Sequence, residues 1–299
     1  MKKLATAIAA IALIGTPVFA ADIGVPPSPP PAPVYNWTGF YVGGNLGVSL
    51  GTFKTDFNAA PVTVTTTFSA PFNIPGFAGR DEVYPAGFIG GGQIGYNYQL
   101  SPIWVVGFEA DFQGADEKEH STLTQAFTDL RPTPPSGPTG ATGSTVLDYA
   151  TKIEWFGTAR LRAGYLFGDG AVLTYVTGGL AYGKVDVGGT STVSGSISGC
   201  STCPVGFSTT RAVGHSNINT GWVVGTGTEG KLFNFPGWTY KIEGLYMDLG
   251  HLHDTDPPPV DCEEIDTGCH VTRITGGQTI TNTHFTDTII RLGVNYQFH

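Results

Sequence analysis

Nine charged residues of this chain alternate with apolar or aromatic neighbours: Glu109, Asp111, Arg160, Arg162, Glu229, Lys231, Lys241, Glu243 and Arg291. Trp104, Val106, Phe108 and Phe112 interleave with the first two. Trp155, Leu161 and Tyr165 lie opposite the arginines, and Trp238, Tyr240, Ile242 and Tyr246 opposite Lys241 and Glu243. A period of two places such charges on one face of a β-strand and the apolar residues on the other. Both signs are present in near balance. Charges facing an enclosed space must pair, because an isolated buried charge costs several kcal/mol. Two kinds of chemistry follow: a salt-bridged plug that holds a shape, or a narrow ion path gated by those pairs.

Two further groups of residues bear on chemistry. Cys200, Cys203, Cys262 and Cys269 make an even count, which in an exported chain points to disulfides, paired locally or across two connections. A Cys-x-x-Cys spacing also occurs in redox and zinc sites, but the flanking βαβ pattern of a redox domain is absent. His120, His215, His251, His253, His270 and His284 are expected in the connections between strands. The compact group is His251-Leu252-His253-Asp254, which makes His251 and His253 candidate ligands for a transition metal or a haem iron. Solvated loop histidines are the plainer reading. No set of nucleophile and base can be paired from sequence alone, so no catalytic residue and no cofactor is assigned, and the chain is expected not to be an enzyme.

The elements that must position these residues are short alternating segments. The last is the clearest: Ile290, Leu292, Val294, Tyr296 and Phe298 share one face, and Ile289, Arg291, Gly293, Asn295 and Gln297 the other. Trp37–Leu50, Val83–Leu100, Ile103–Gly114, Ile153–Phe167, Ala171–Val187, Ile218–Phe233 and Trp238–Leu249 supply seven more, the fifth with less clear alternation. Their connections run long, short, long, short. Ser101-Pro102, Gly168-Asp169-Gly170 and 234–237 are tight turns. Residues 51–82, 115–152, 188–217 and 250–284 are expected as long loops, and the last three hold the cysteines and histidines.

Bulk properties set the environment. Charged residues make up 13% of the chain, against about 25% in soluble domains. There are 43 glycines, and aromatic residues make up 12%. No internal run approaches the roughly 18 apolar residues of a spanning helix. Lys2 and Lys3, the apolar Leu4–Ile14 and the Val18-Phe19-Ala20 site make residues 1–20 a signal peptide. Residues 21–36 are a Pro-rich periplasmic spacer. Residues 37–299 form the remaining domain. Losing Lys2 and Lys3 takes the formal charge from −9 to −11, which excludes a nucleic-acid partner on charge grounds.

An even number of strands joined by alternating long and short connections is the plan of an eight-stranded antiparallel transmembrane β-barrel with long extracellular loops and short periplasmic turns. A secreted sandwich mixes its connection lengths more evenly. In the barrel the apolar faces meet lipid. Trp37, Trp104, Trp155, Trp238, Tyr98 and Phe298 are expected near the periplasmic ends as an interfacial girdle. An eight-stranded barrel is just wide enough for side chains to fill, which favours the plug over the pore.

WTGFYVGGNLG after the spacer, TARLRAGY at Thr158–Tyr165, TYVTGGLAYG at Thr174–Gly183 and YKIEGLYMDLG resemble the small alphaproteobacterial outer-membrane β-barrel proteins. Those are also called outer-membrane immunogenic or surface-antigen proteins, and their plan is related to opacity proteins and the OmpA barrel. The ending GVNYQF, with Tyr296 and Phe298, is similar to the C-terminal assembly signal of such barrels, with His299 added after it. The resemblance implies residence in the outer membrane, contact with its lipid and with the barrel assembly machinery, and a structural, surface-exposed role. Members are described as porin-like or haemin-binding. A narrow porin-like channel and a loop-mediated receptor for haem, metal or a host surface ligand are therefore the alternatives.

Overall fold

The computed structural model describes residues 35–66, 72–130, 140–198, 205–232, 234–256, 271–276 and 279–298. The signal peptide, nearly all of the spacer and all four cysteines lie outside these residues, as do His270 and His299. Residues Met1–Val34 and Tyr35–His299 are separate units.

The second unit is built from twelve strands: β1 (Gly39–Ala59), β2 (Val62–Thr66), β3 (Phe72–Ile74), β4 (Phe77–Val83), β5 (Ala86–Gln99), β6 (Trp104–Leu130), β7 (Gly140–Phe167), β8 (Val172–Ser198), β9 (Val205–Lys231), β10 (Trp238–Asp256), β11 (Val271–Gly276) and β12 (Thr279–Gln297). Eight of them close a ring in the order β1-β5-β6-β7-β8-β9-β10-β12, completed by β12 pairing back onto β1. Every pairing is antiparallel, and Tyr41 stands opposite Gln297 where the ring closes. This is the expected eight-stranded barrel.

At one end the connections are tight. Gly168, Asp169 and Gly170 all have positive φ (57°, 55° and 82°), which glycine adopts freely and aspartate tolerates. The amide of Ala171 closes that turn on the Gly168 carbonyl at 3.0 Å. The Ser101 hydroxyl accepts the Trp104 amide at 3.2 Å in the β5–β6 turn.

At the other end the segments read from sequence as long loops are largely strand. β7 alone is 28 residues, where a bilayer needs only about 9–11, so the sheet projects far past the apolar band. Those segments look irregular in sequence because the pattern inverts. On β1 the outward residues Phe40, Val42, Leu46, Val48 and Leu50 are exposed and apolar, whereas Thr52, Lys54, Asp56 and Asn58 continue the same face as polar residues. The inward face changes in the opposite sense, from Tyr41, Asn45 and Ser49 to Phe53 and Phe57. β12 repeats this: outward Phe298 to Ile290 gives way to Thr286 and His284, and inward Asn295 and Arg291 give way to Phe285. A wall facing lipid is greasy outside. The same wall facing water must be greasy inside.

Above that boundary the ring divides. β5 pairs with β6 only as far as Ala115, and β10 pairs with β9 only as far as Asp248 opposite Trp222. Register shifts mark both partings, between Gly114 and Glu117 on β6 and between Asp248 and Gly250 on β10, where Gly250 has φ +72°. Beyond them, β6–β9 make one sheet, and β10, β12, β1 and β4 another. Phe53, Phe57, Leu252 and Phe285 from the second sheet pack on Leu147, Tyr149, Ile153, Val185 and Val187 from the first. Phe57 and Tyr149 lie 5.0 Å apart between ring centres.

The aromatic girdle is double. Tyr98, Trp104, Trp238 and Phe298 ring the short-turn end as expected. Trp155 lies at the opposite rim, against Phe112 (5.3 Å) and Tyr182 (6.2 Å). Trp37 is not in the girdle at all. It is fully buried inside the short-turn opening, where its indole donates to the Gly170 carbonyl at 2.9 Å. With Val105, Leu166, Leu173 and Tyr175 it makes an apolar cap.

Candidate functional site

The barrel interior gathers eight of the nine predicted charges. Glu109, Asp111, Glu229 and Glu243 face Arg160, Arg162, Lys241 and Arg291, four against four, all nearly or fully buried. Their strands β6, β7, β9, β10 and β12 turn these positions inward because the alternate positions carry the lipid-facing residues. Arg160 donates to Glu243 at 2.9 Å and Asp111 at 3.0 Å, and also pairs with Glu109. Arg291 donates to Asp111 at 2.8 Å and, through Nε, to Glu243 at 2.7 Å. Lys241 donates to Glu109 at 2.8 Å. Arg162 donates to Glu229 at 2.7 Å and Glu109 at 3.2 Å, with its guanidinium 4.0 Å from the centre of the Tyr175 ring. Equal charge and mutual hydrogen bonds are the condition under which so many ions tolerate burial.

Lys231 departs from the expectation. It stands near the short-turn opening with its ammonium 4.1 Å from the Tyr35 ring centre, and no ion pair joins it to the network among the described residues. As the last residue of β9 it reaches the opening, where its ammonium stands over that ring.

Sequence reasoning missed the neutral partners. The Tyr41 hydroxyl donates to Glu109 at 2.7 Å and the Tyr175 hydroxyl to Glu243 at 2.9 Å. Asn295 donates to Glu229 at 2.8 Å, and Asn45 donates to Gln93 at 2.9 Å. Tyr41 and Asn45 alternate with Phe40, Val42 and Leu46 along the first strand, so their inward position was available; what they bond to was not. Glu117 was missed because it fell in a segment taken for a loop, and Asp287 because the faces of the last strand were read only from Ile289 onward. Both are buried and bridged by the Ser49 hydroxyl, 3.2 Å from Glu117.

The described histidines lie on strands, not in loops. His251 and His253 project outward from β10, and His284, opposite His251 in register, projects from β12. The His251 and His284 rings are stacked at 4.3 Å with planes 6° apart, and His253 lies 6.2 Å from His251. His284 Nε2 is 3.0 Å from Asp248 Oδ1. Burial, then the neighbouring His284 and His253 rings, hold the His251 imidazole below its usual pKa. His120 is on β6 beside Asp148, and His215 is exposed on β9. The sequence signal for the group was the His-x-His spacing; nothing in sequence placed His284, 31 residues later, across from it.

Sequence comparison agrees with this architecture. The family model described as outer membrane protein beta-barrel domain matches residues 6–298. The 31 kDa outer-membrane immunogenic proteins of Brucella melitensis and Brucella suis are each 35% identical over 252 residues, covering 82% of this chain and 87% of the relative. Among solved structures, the attachment invasion locus protein Ail of Yersinia pestis aligns over 83% of this chain and 98% of its own, with 13% identity and a TM-score of 0.22.

Proposed function

Because the chain belongs to the outer membrane protein β-barrel family, and so is a surface-exposed protein of the bacterial outer membrane, we propose that its barrel is a sealed scaffold rather than a conduit. One observation carries this reading: the four carboxylates and four cations of the charged layer occupy the lumen, each of the eight paired within it. Glu109, Glu243, Arg160 and Arg291 are each 1% exposed or less. An eight-stranded wall leaves an interior that side chains fill, and here those side chains are locked to one another. The apolar cap around Trp37 lies at the periplasmic end, and the cluster around Phe53 and Phe285 closes the extracellular side. An ion crossing this lumen has to break several charge-assisted bonds and then enter an apolar layer.

The working part of the molecule is then the tall extracellular double sheet, presented to the outside on a rigid base. This reading assigns the protein no catalytic role: the four carboxylates of the charged layer are bound to cations, and the buried Glu117 and Asp287 share the Ser49 hydroxyl. Planar-bilayer recording tests it. The purified mature barrel is expected to give no discrete, stable conductance steps at neutral pH. Reproducible ohmic steps proportional to the number of inserted molecules refute the sealed scaffold in favour of the narrow channel.

A further inference from the structure

We propose that His251, His253 and His284 form a site for one divalent transition-metal ion on the outer surface of the extracellular wall. Imidazole nitrogens hold such ions at about 2.0–2.1 Å, which puts the metal roughly 3.2 Å from each ring centre and the centres of two rings sharing a tetrahedral metal about 5 Å apart. The observed separations of 4.3 Å (His251–His284) and 6.2 Å (His251–His253) fall on either side of that value. The strand geometry makes both pairs chelating. Residues two apart leave the same face, and register partners on neighbouring strands have Cβ atoms about 4.5–5.5 Å apart.

Among the described residues no group of three His, Cys, Asp or Glu side chains is already arranged around a metal position. The three rings lie near parallel, 6° and 16° between planes, and their nitrogens meet only when the rings tilt. They have the freedom to do so: His251 and His253 are exposed, and the His284 side chain is 29% accessible. One partner is already in place. Asp248 engages Nε2 of His284 at 3.0 Å, which leaves Nδ1 for the metal and supplies the carboxylate that commonly orients a ligating imidazole. Nitrogen donors favour zinc, copper or nickel over magnesium or calcium. The group also stands where a solute reaches it, on the water-facing stretch beyond the last lipid-facing residues Tyr246 and Ile290.

The test uses the mature chain purified without an affinity tag and folded in detergent, with folding confirmed by its heat-modifiable gel shift. Zinc alone is titrated by calorimetry, and one equivalent of copper(II) is examined by electron paramagnetic resonance. The wild type and the control His215→Ala are expected to bind one zinc with micromolar affinity and to show nitrogen hyperfine structure from at least two imidazoles. His251→Gln/His284→Gln is expected to weaken zinc at least tenfold and to lose that structure, with His253→Gln intermediate. Wild-type affinity in the double variant overturns the proposal, as does absence of zinc binding by the wild type at millimolar metal.

Discussion

Replacing Arg160 by alanine probes the charged layer most directly. Its side chain is fully buried and bonded to Glu109, Asp111 and Glu243, with Nε on the Thr158 hydroxyl at 2.9 Å. Removal leaves four carboxylates facing three cations. Each orphaned carboxylate keeps another partner: Lys241 for Glu109, Arg291 for Asp111, and Arg291 with Tyr175 for Glu243. The loss is therefore one unit of uncompensated buried charge shared over a network. Breaking a buried ion pair from one side costs 3–5 kcal/mol, and the surviving partners put this case at the low end, about 3 kcal/mol. Urea unfolding from lipid vesicles, followed by tryptophan fluorescence, measures it. A second variant separates charge from packing: Arg160→Met with Glu243→Gln restores three against three and is expected to recover about half of the loss, since balanced neutral replacements of buried ions are often well tolerated. A midpoint for Arg160→Ala within about 0.5 kcal/mol of wild type refutes the reasoning. The guanidinium would then be hydrated and the lumen wet.

Two further predictions address the wall and its cap. Leu292→Arg puts a charge on the lipid face of β12 and is expected to cost about 2–4 kcal/mol, read as loss of the heat-modifiable form in outer-membrane fractions, while Leu292→Phe stays within about 0.5 kcal/mol; equal assembly of both variants would place that face away from lipid. Trp37→Ala empties the periplasmic cap and is expected to lower stability by about 3–5 kcal/mol, whereas a shift below about 1 kcal/mol in the same urea assay would put the indole outside the wall.

The membrane-spanning half was legible in the sequence. Alternation on β12 named the lipid face and the inward Arg291 and Asn295, and the same period picked out eight of the ions that meet in the lumen. Local chemistry suffices there, because a lipid-facing strand has one greasy face and a period of two. The extracellular half was not legible as strand, although Phe53, Phe57 and Phe285 sit in phase with the polar positions below them. The polarity inversion at the membrane boundary breaks any pattern read with a single assignment of faces, so continuing strands look like loops.

Which charge meets which was also out of reach, since Arg160 and Glu243 are 83 residues apart and lie on strands that do not adjoin in the ring. Trp37 shows the same limit: its type fits a girdle, and only ring closure offers it a periplasmic opening to fill. Register decided the remainder. Sequence spacing grouped His251 and His253 but read them as loop residues; the extension of β10 through them put both on one face, and its pairing with β12 brought His284 against them. Cross-strand neighbours are set by hydrogen-bond register across the closed sheet, a property of the whole ring that no single strand encodes.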